Sequence, residues 1–252
     1  MEERKHYYTD ERNAQIVIAL LKAHGIKRVI ASPGTTHMAF LGSIQYDPWF
    51  QIWSAIDERH AAFMAVGMAA ETGEPVVLTC TGATASRNYL PALTEAYYRK
   101  LPILAITSSQ FVSHIGNLHS QVIDRSVHPK DTVRYSLPCP PVENDREFKE
   151  CELAVNKAIL ELFRHGGGPV HINLESSYSR SFKTATLPAV RKLARYFVDD
   201  ELLRILDGTK VAVFITNHKL RSGRARHWKS FCLRITPSHF ARRHLEERTE
   251  FL

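Results

Sequence analysis

Apolar positions along the chain follow a helical rhythm in some stretches and run unbroken over a few residues in others. Asn13 to His24 (NAQIVIALLKAH) has helical spacing, Gly25 follows as a stop, and IKRVIAS reads as a short buried strand. The chain then turns through PGTTH, Pro33 to His37, passes a further helix and returns through FQIWSAI, Phe50 to Ile56, as a second strand. Asp57 stands where it can cap the next helix, ERHAAFMAVGMAAETG, which ends at Gly73 and leads into the strand VVLTC, Val76 to Cys80. TGATASRN opens another helix reaching about Lys100, and LPILAIT is a strand. A long loop follows from Ser108, and a helix near Lys149 to His165 precedes the strand in GGGPVHINLES.

Short apolar strands alternating with helices predict an α/β fold: a doubly wound, mostly parallel sheet with helices on both faces. In such sheets ligands gather at the carboxyl ends of the strands. Three turns fall there, namely PGTTH, Asp57-Glu58-Arg59 and TGATA. A polar, proline-containing stretch between Ser176 and Leu193 marks a boundary. The expected organisation is therefore a domain over 1–180, a linker and the start of an incomplete second unit over 181–217, and a basic irregular tail over 218–252.

Charge changes this picture less than its total suggests. The net charge is +7 over 252 residues, but residues 211–252 hold nine Lys or Arg against three Asp or Glu, so the body is nearly neutral. A basic segment with no recognition module does not make a nucleic-acid-binding protein, and nucleic acid is not an expected partner. No apolar run is long enough to cross a bilayer and the N-terminus lacks a signal peptide's apolar stretch, so the expectation is a cytoplasmic protein with no membrane partner. Four scattered cysteines form no CxxC pair, which points to neither a zinc site nor a disulfide framework. The thirteen histidines form no HExxH set, and there is no GxSxG elbow.

Glu58 is the most informative single residue. One reading makes Asp57 and Glu58 a helix cap and a carboxylate complementing the positive helix end. The other has Glu58 pointing into the cleft as a proton-exchanging carboxyl, buried by Trp53 and Phe63 and so adjusted in pKa. TGATASRN exposes backbone N–H groups beside small side chains, but it lacks the Lys of a phosphate loop and the GxGxxG spacing; its small residues suit a flat ring. His37 and His60 are the histidines positioned to face a substrate. The triple glycine before VHINLE lies at the wrong end of its strand for a site and reads as structural.

Taken together, the PGT turn, the strand ending in DER, the alanine-rich helix and PVVLTCTGATASRNYLPALTEAYYRKLPILAIT resemble the N-terminal, pyrimidine-binding domain of thiamine-diphosphate enzymes. Among these, the synthases of menaquinone biosynthesis are the most similar. The resemblance runs from about Asn13 to Glu175. It implies thiamine diphosphate as cofactor and Glu58 as the catalytic glutamate that hydrogen-bonds the aminopyrimidine. It further implies that Thr35, Thr81, Gly82, Asn88 and Gln121 contact the cofactor, and that Thr36 and His37 face the substrate. The implied reaction is decarboxylation of a 2-oxo acid, with release or transfer of the remaining acyl group to an acceptor.

Two departures accompany the resemblance. The menaquinone synthases have PGSRS at the first turn, whose Arg grips a carboxylate; here Pro33-Gly34-Thr35-Thr36-His37 has no arginine, and His37 is the weaker, pH-dependent replacement. The family's GDG motif and downstream Asn, which hold magnesium and diphosphate, are not found; Asp207-Gly208-Thr209 precedes a strand instead of following one. The expectation is that magnesium is bound only through a missing domain or a partner, in a homodimer or a complex with a diphosphate-binding chain. The loss of apolar periodicity past residue 217 suggests a segment read out of frame or cut short. The alternative is a catalytically silent interaction or regulatory domain of the same fold.

Overall fold

The computed structural model describes residues 7–82, 84–125 and 128–195, which belong to one compact unit ending at Arg195. The expected second unit beyond that point, the basic tail, its reading frame and Asp207-Gly208-Thr209 lie outside the described residues.

In chain order the elements are β1 (Tyr8–Thr9), α1 (Arg12–His24), β2 (Arg28–Ala31), α2 (Met38–Ile44), β3 (Gln51–Ser54), α3 (Glu58–Thr72) and β4 (Val76–Thr81). Then follow α4 (Leu90–Arg99), β5 (Ile103–Ser109), β6 (Tyr135–Cys139), α5 (Asp145–Glu161), β7 (Val170–Glu175) and β8 (Phe182–Thr184). Six strands form one sheet in the order β3-β2-β4-β5-β7-β6, every neighbouring pair parallel. β1 and β8 make a separate antiparallel pair. The predicted doubly wound α/β architecture is the observed one.

Side-chain alternation divides the sheet's two faces between two cores. Val29, Val77, Leu104 and Val170, aligned across four strands, join the α1 and α5 side chains Ile16, Leu20, Val155 and Ile159. Ile30, Leu78 and Ala105 face the other way, onto Ala61, Ala65 and Ala69 of α3 and Leu93 of α4. Alanine along α3 lets the helix lie close to the strands while burying no polar atom. α1 stops at Gly25, whose φ of 77° allows its N–H to return to the Leu21 and Lys22 carbonyls. α5 begins earlier than the pattern suggested, because the Asn144 side chain accepts from the N–H groups of Arg146 and Glu147.

β6 lies inside the stretch expected to be loop. Its sequence YSLPC carries Pro138, which a ladder tolerates at an edge, and β6 is the edge strand beyond β7. The chain also remains on this domain past residue 180. β8 pairs with β1, the Arg191 N–H donates to Glu152 at 2.6 Å, and Arg195 meets Glu161 at 3.0 Å.

Candidate functional site

The turn after β2 and the turn after β4 meet at the sheet's carboxyl end. β2 sits between β3 and β4, where the winding of the sheet changes direction, the usual place for a ligand crevice. Thr36 is buried there: its hydroxyl donates to the Ser108 carbonyl at 3.2 Å and accepts from the Gly82 N–H at 3.1 Å. Gly34 is extended, so it is needed for space and not for φ; a Cβ on it would run into Cγ2 of Thr81. A Cβ on Gly82 would run into the Ser108 carbonyl oxygen and meet the Arg125 guanidinium at 2.9 Å.

Glu58 opens α3 as the cap reading required. Asp57 accepts from the His60 N–H at 2.7 Å, so the capping is done by Asp57 and the Glu58 carboxylate is left over. Glu58 is half-buried, and among the described residues its carboxylate has no hydrogen bond or ion pair. Its charge is felt by Cys80, whose thiol burial pushes up to about 12, and by Tyr89, whose phenol burial pushes well above its ordinary value. Trp53 and Phe63, expected to bury Glu58, are themselves exposed, as is Ile56 at 98%. β3 is an edge strand, so its last residues and the α3 start have no further strand beside them.

The remaining expected residues separate into two groups. Thr36, Thr81 and Gly82 are brought together with Gly34. Thr35 and Asn88 are exposed, Asn88 in a short 3-10 turn before α4, and Gln121 is exposed in the β5–β6 connection at a φ of 61°. His37 does not serve as an exposed cationic partner. It is fully buried, neither ring nitrogen has a hydrogen-bond partner, and burial holds its pKa down to about 4, so the imidazole is neutral at pH 7.

A feature missed in the sequence lies over the other half of the sheet. VHINLE alternates strictly: Val170, Ile172 and Leu174 enter a core, while His171 and Asn173 face the opposite side with Thr107 and Ser136. Thr107 donates to Asn173 Oδ1 at 2.9 Å, and Asn173 donates to Ser109 Oγ at 2.8 Å. The Thr107 proton is thereby used, so at 2.8 Å His171 Nε2 is the donor and Nδ1 is left to accept from Ser136 Oγ and His128 Nε2. Burial keeps His171 neutral, as this tautomer requires. Ser109, Ser136 and Asn173 end this network at the wall of a cavity of about 330 Å³ that also includes Arg125. The alternation in VHINLE was the available signal; Arg125, inside an irregular connection, offered none.

Residues 12–128 match the family model of the thiamine pyrophosphate enzyme N-terminal TPP binding domain. Over these residues the chain is similar to that family. It is 35% identical over 190 residues to a 2-succinyl-5-enolpyruvyl-6-hydroxy-3-cyclohexene-1-carboxylate synthase of Bacteroides fragilis, covering 75% of this chain and 34% of that protein. Proteins of the same name from Porphyromonas gingivalis and Haloarcula marismortui are 29% and 33% identical, over 82% and 64% of this chain and 38% and 27% of theirs. The chain thus spans about a third of the length of these curated relatives. The matched segment contains the turns after β2, β3 and β4 and Arg125. Among the described residues no helix is long and apolar enough to cross a membrane.

Proposed function

We propose that this domain holds the aminopyrimidine end of thiamine diphosphate and takes part in 2-oxo acid decarboxylation, with or without transfer of the acyl group, the reaction class that its family resemblance implies. The observation that carries this is the Glu58 carboxylate, half-buried at the mouth of the crevice and without a partner among the described residues. Such a group fits a flat ring whose nitrogen exchanges a proton with it. The exposed side chains of Ile56 and Phe63, its neighbours in sequence, supply apolar surface of the kind a ring and a covering chain would bury.

When bound, the cofactor supplies the electron sink for loss of carbon dioxide. The protein's part is orientation and proton control. Asp57 fixes the first turn of α3 and so sets where the Glu58 carboxylate stands. Glu58 holds a proton at a ring nitrogen, while Thr36 locks the Gly82 turn against Ser108 so that its backbone presents one fixed edge. Thr35, Asn88 and Gln121 are proposed as outer contacts. Among the described residues no group of three His, Cys, Asp or Glu suits a metal ion. This reading assigns magnesium and the diphosphate to another domain or to a diphosphate-binding partner chain.

The test uses thiamine, which carries the aminopyrimidine without the diphosphate, titrated calorimetrically into the full chain. The expected result is binding that Glu58→Gln weakens about tenfold, the size of one charge-assisted hydrogen bond. Equal affinity of the two proteins, or no binding to either, overturns the reading.

A further inference from the structure

Arg125 is only 6% exposed, and its Nε and Nη2 are closed off from water with no hydrogen-bond partner. No ion pair to its guanidinium is found among the described residues. The groups that bear most on its charge supply no opposing one. Cys80 and Tyr89 are buried and neutral, and Arg87 adds a second positive charge. An unpaired guanidinium is among the most costly groups to bury, and it is normally retained only where an anion meets it.

Arg125 also lines the cavity of about 330 Å³ at the end of β5 and along β6 and β7. The other polar wall groups are mostly neutral: Ser109, Ser136 and Asn173, whose orientations the Thr107–His171 network holds. The rest of the wall is apolar, with Val112, Ile115 and Ile123. We propose that this cavity is a binding site for a small organic acid, its carboxylate on Arg125 and its carbon chain against Val112, Ile115 and Ile123. One guanidinium matches one carboxylate in charge and in fork geometry. A phosphate dianion fits less well, because a single guanidinium balances only one of its two charges. The volume is near the lower end of ligand pockets, roughly 300 to 1,000 Å³, and so selects a short chain.

Arg125 Nη2 lies beside the Gly82 turn, and the test is made without thiamine so that its failure is distinguishable from failure of the cofactor reading. Hexanoate, hexanamide and inorganic phosphate are titrated into the full chain and into the Arg125→Gln and Arg125→Lys variants, with melting temperatures measured alongside. Hexanoate is expected to bind, hexanamide to bind far more weakly, and phosphate more weakly than hexanoate. Arg125→Gln should lower hexanoate affinity about tenfold to a hundredfold, and Arg125→Lys less, as expected for loss of a charge-assisted pair and for its replacement by a point charge.

Arg125→Gln should also keep or raise the melting temperature, since a buried unpaired charge is removed. A merely structural arginine predicts the reverse. The proposal is overturned if hexanoate does not bind, if hexanamide or phosphate binds as well as hexanoate, if Arg125→Gln binds hexanoate unchanged, or if that variant melts at a lower temperature.

Discussion

The Oγ1 of Thr36 accepts the Gly82 N–H at 3.1 Å and donates to the Ser108 carbonyl at 3.2 Å, so one buried hydroxyl joins the ends of β2, β4 and β5. Thr36→Val keeps the shape and removes both bonds, leaving a buried N–H and a buried carbonyl unpaired. The expected loss is about 1–3 kcal/mol in urea unfolding. A loss indistinguishable from zero would mean that the turns are held by packing alone.

The two glycines at this junction should differ in their tolerance. At Gly82 an added Cβ meets a backbone carbonyl, which cannot move without the β5 ladder; at Gly34 it meets the methyl of Thr81, the end of a side chain. Gly82→Ala is therefore expected to destabilise more than Gly34→Ala, and Gly34→Ala combined with Thr81→Ser should recover part of its loss. Melting temperatures of the single and double variants decide the order.

Asp57 and Glu58 have separable roles. Asp57→Ala removes the cap bond to the His60 N–H and should cost about 0.5–2 kcal/mol of stability. Glu58→Gln breaks no hydrogen bond or ion pair within the described residues and should leave stability nearly unchanged while weakening thiamine binding. If both variants lost the same stability, Glu58 would be part of the cap after all.

His37 gives the fold a defined acid sensitivity. Its pKa is about 4 when folded and 6.5 as the reference, so between these values the unfolded chain binds the extra proton. Stability from this residue is complete above pH 6.5 and is lost as pH falls toward about 4. His37→Leu should therefore shrink the difference in unfolding free energy between pH 7 and pH 5 by about 2 kcal/mol. An unchanged difference would show that His37 titrates normally in the folded protein.

Cys139 and Cys151, far apart in any motif, bring their sulfurs to 3.6 Å between β6 and α5. Both are buried and free, and the neighbouring sulfur and burial hold the Cys139 thiol well above its ordinary value. Diamide treatment is expected to join them slowly, as a cross-linked peptide absent from Cys151→Ser. Rapid reaction at neutral pH would contradict the buried, protonated state.

Much of the fold was legible because it rests on local rules. Asp57 capping α3, Gly25 and Gly73 ending helices in the left-handed region, and the apolar runs of β4 and β5 each follow from a few adjacent residues. β6 was not legible, because Pro138 argues against a strand until the strand is known to be an edge. The earlier start of α5 depended on reading Asn144 as a cap.

The sequence by itself determined the parallel α/β sheet, the three turns at its carboxyl end and the Asp57 cap that opens α3 at Glu58, since periodicity, capping and strand polarity are properties of neighbouring residues. Only the tertiary structure decided which side chains remain available. Burial and pairing depend on residues distant in the chain: Ser108 and Gly82 occupy Thr36, packing from all sides makes His37 neutral, and Arg125 is left without an ion pair among the described residues beside a cavity. Charge and hydrogen-bond balance is summed over space, and a linear pattern contains no such sum.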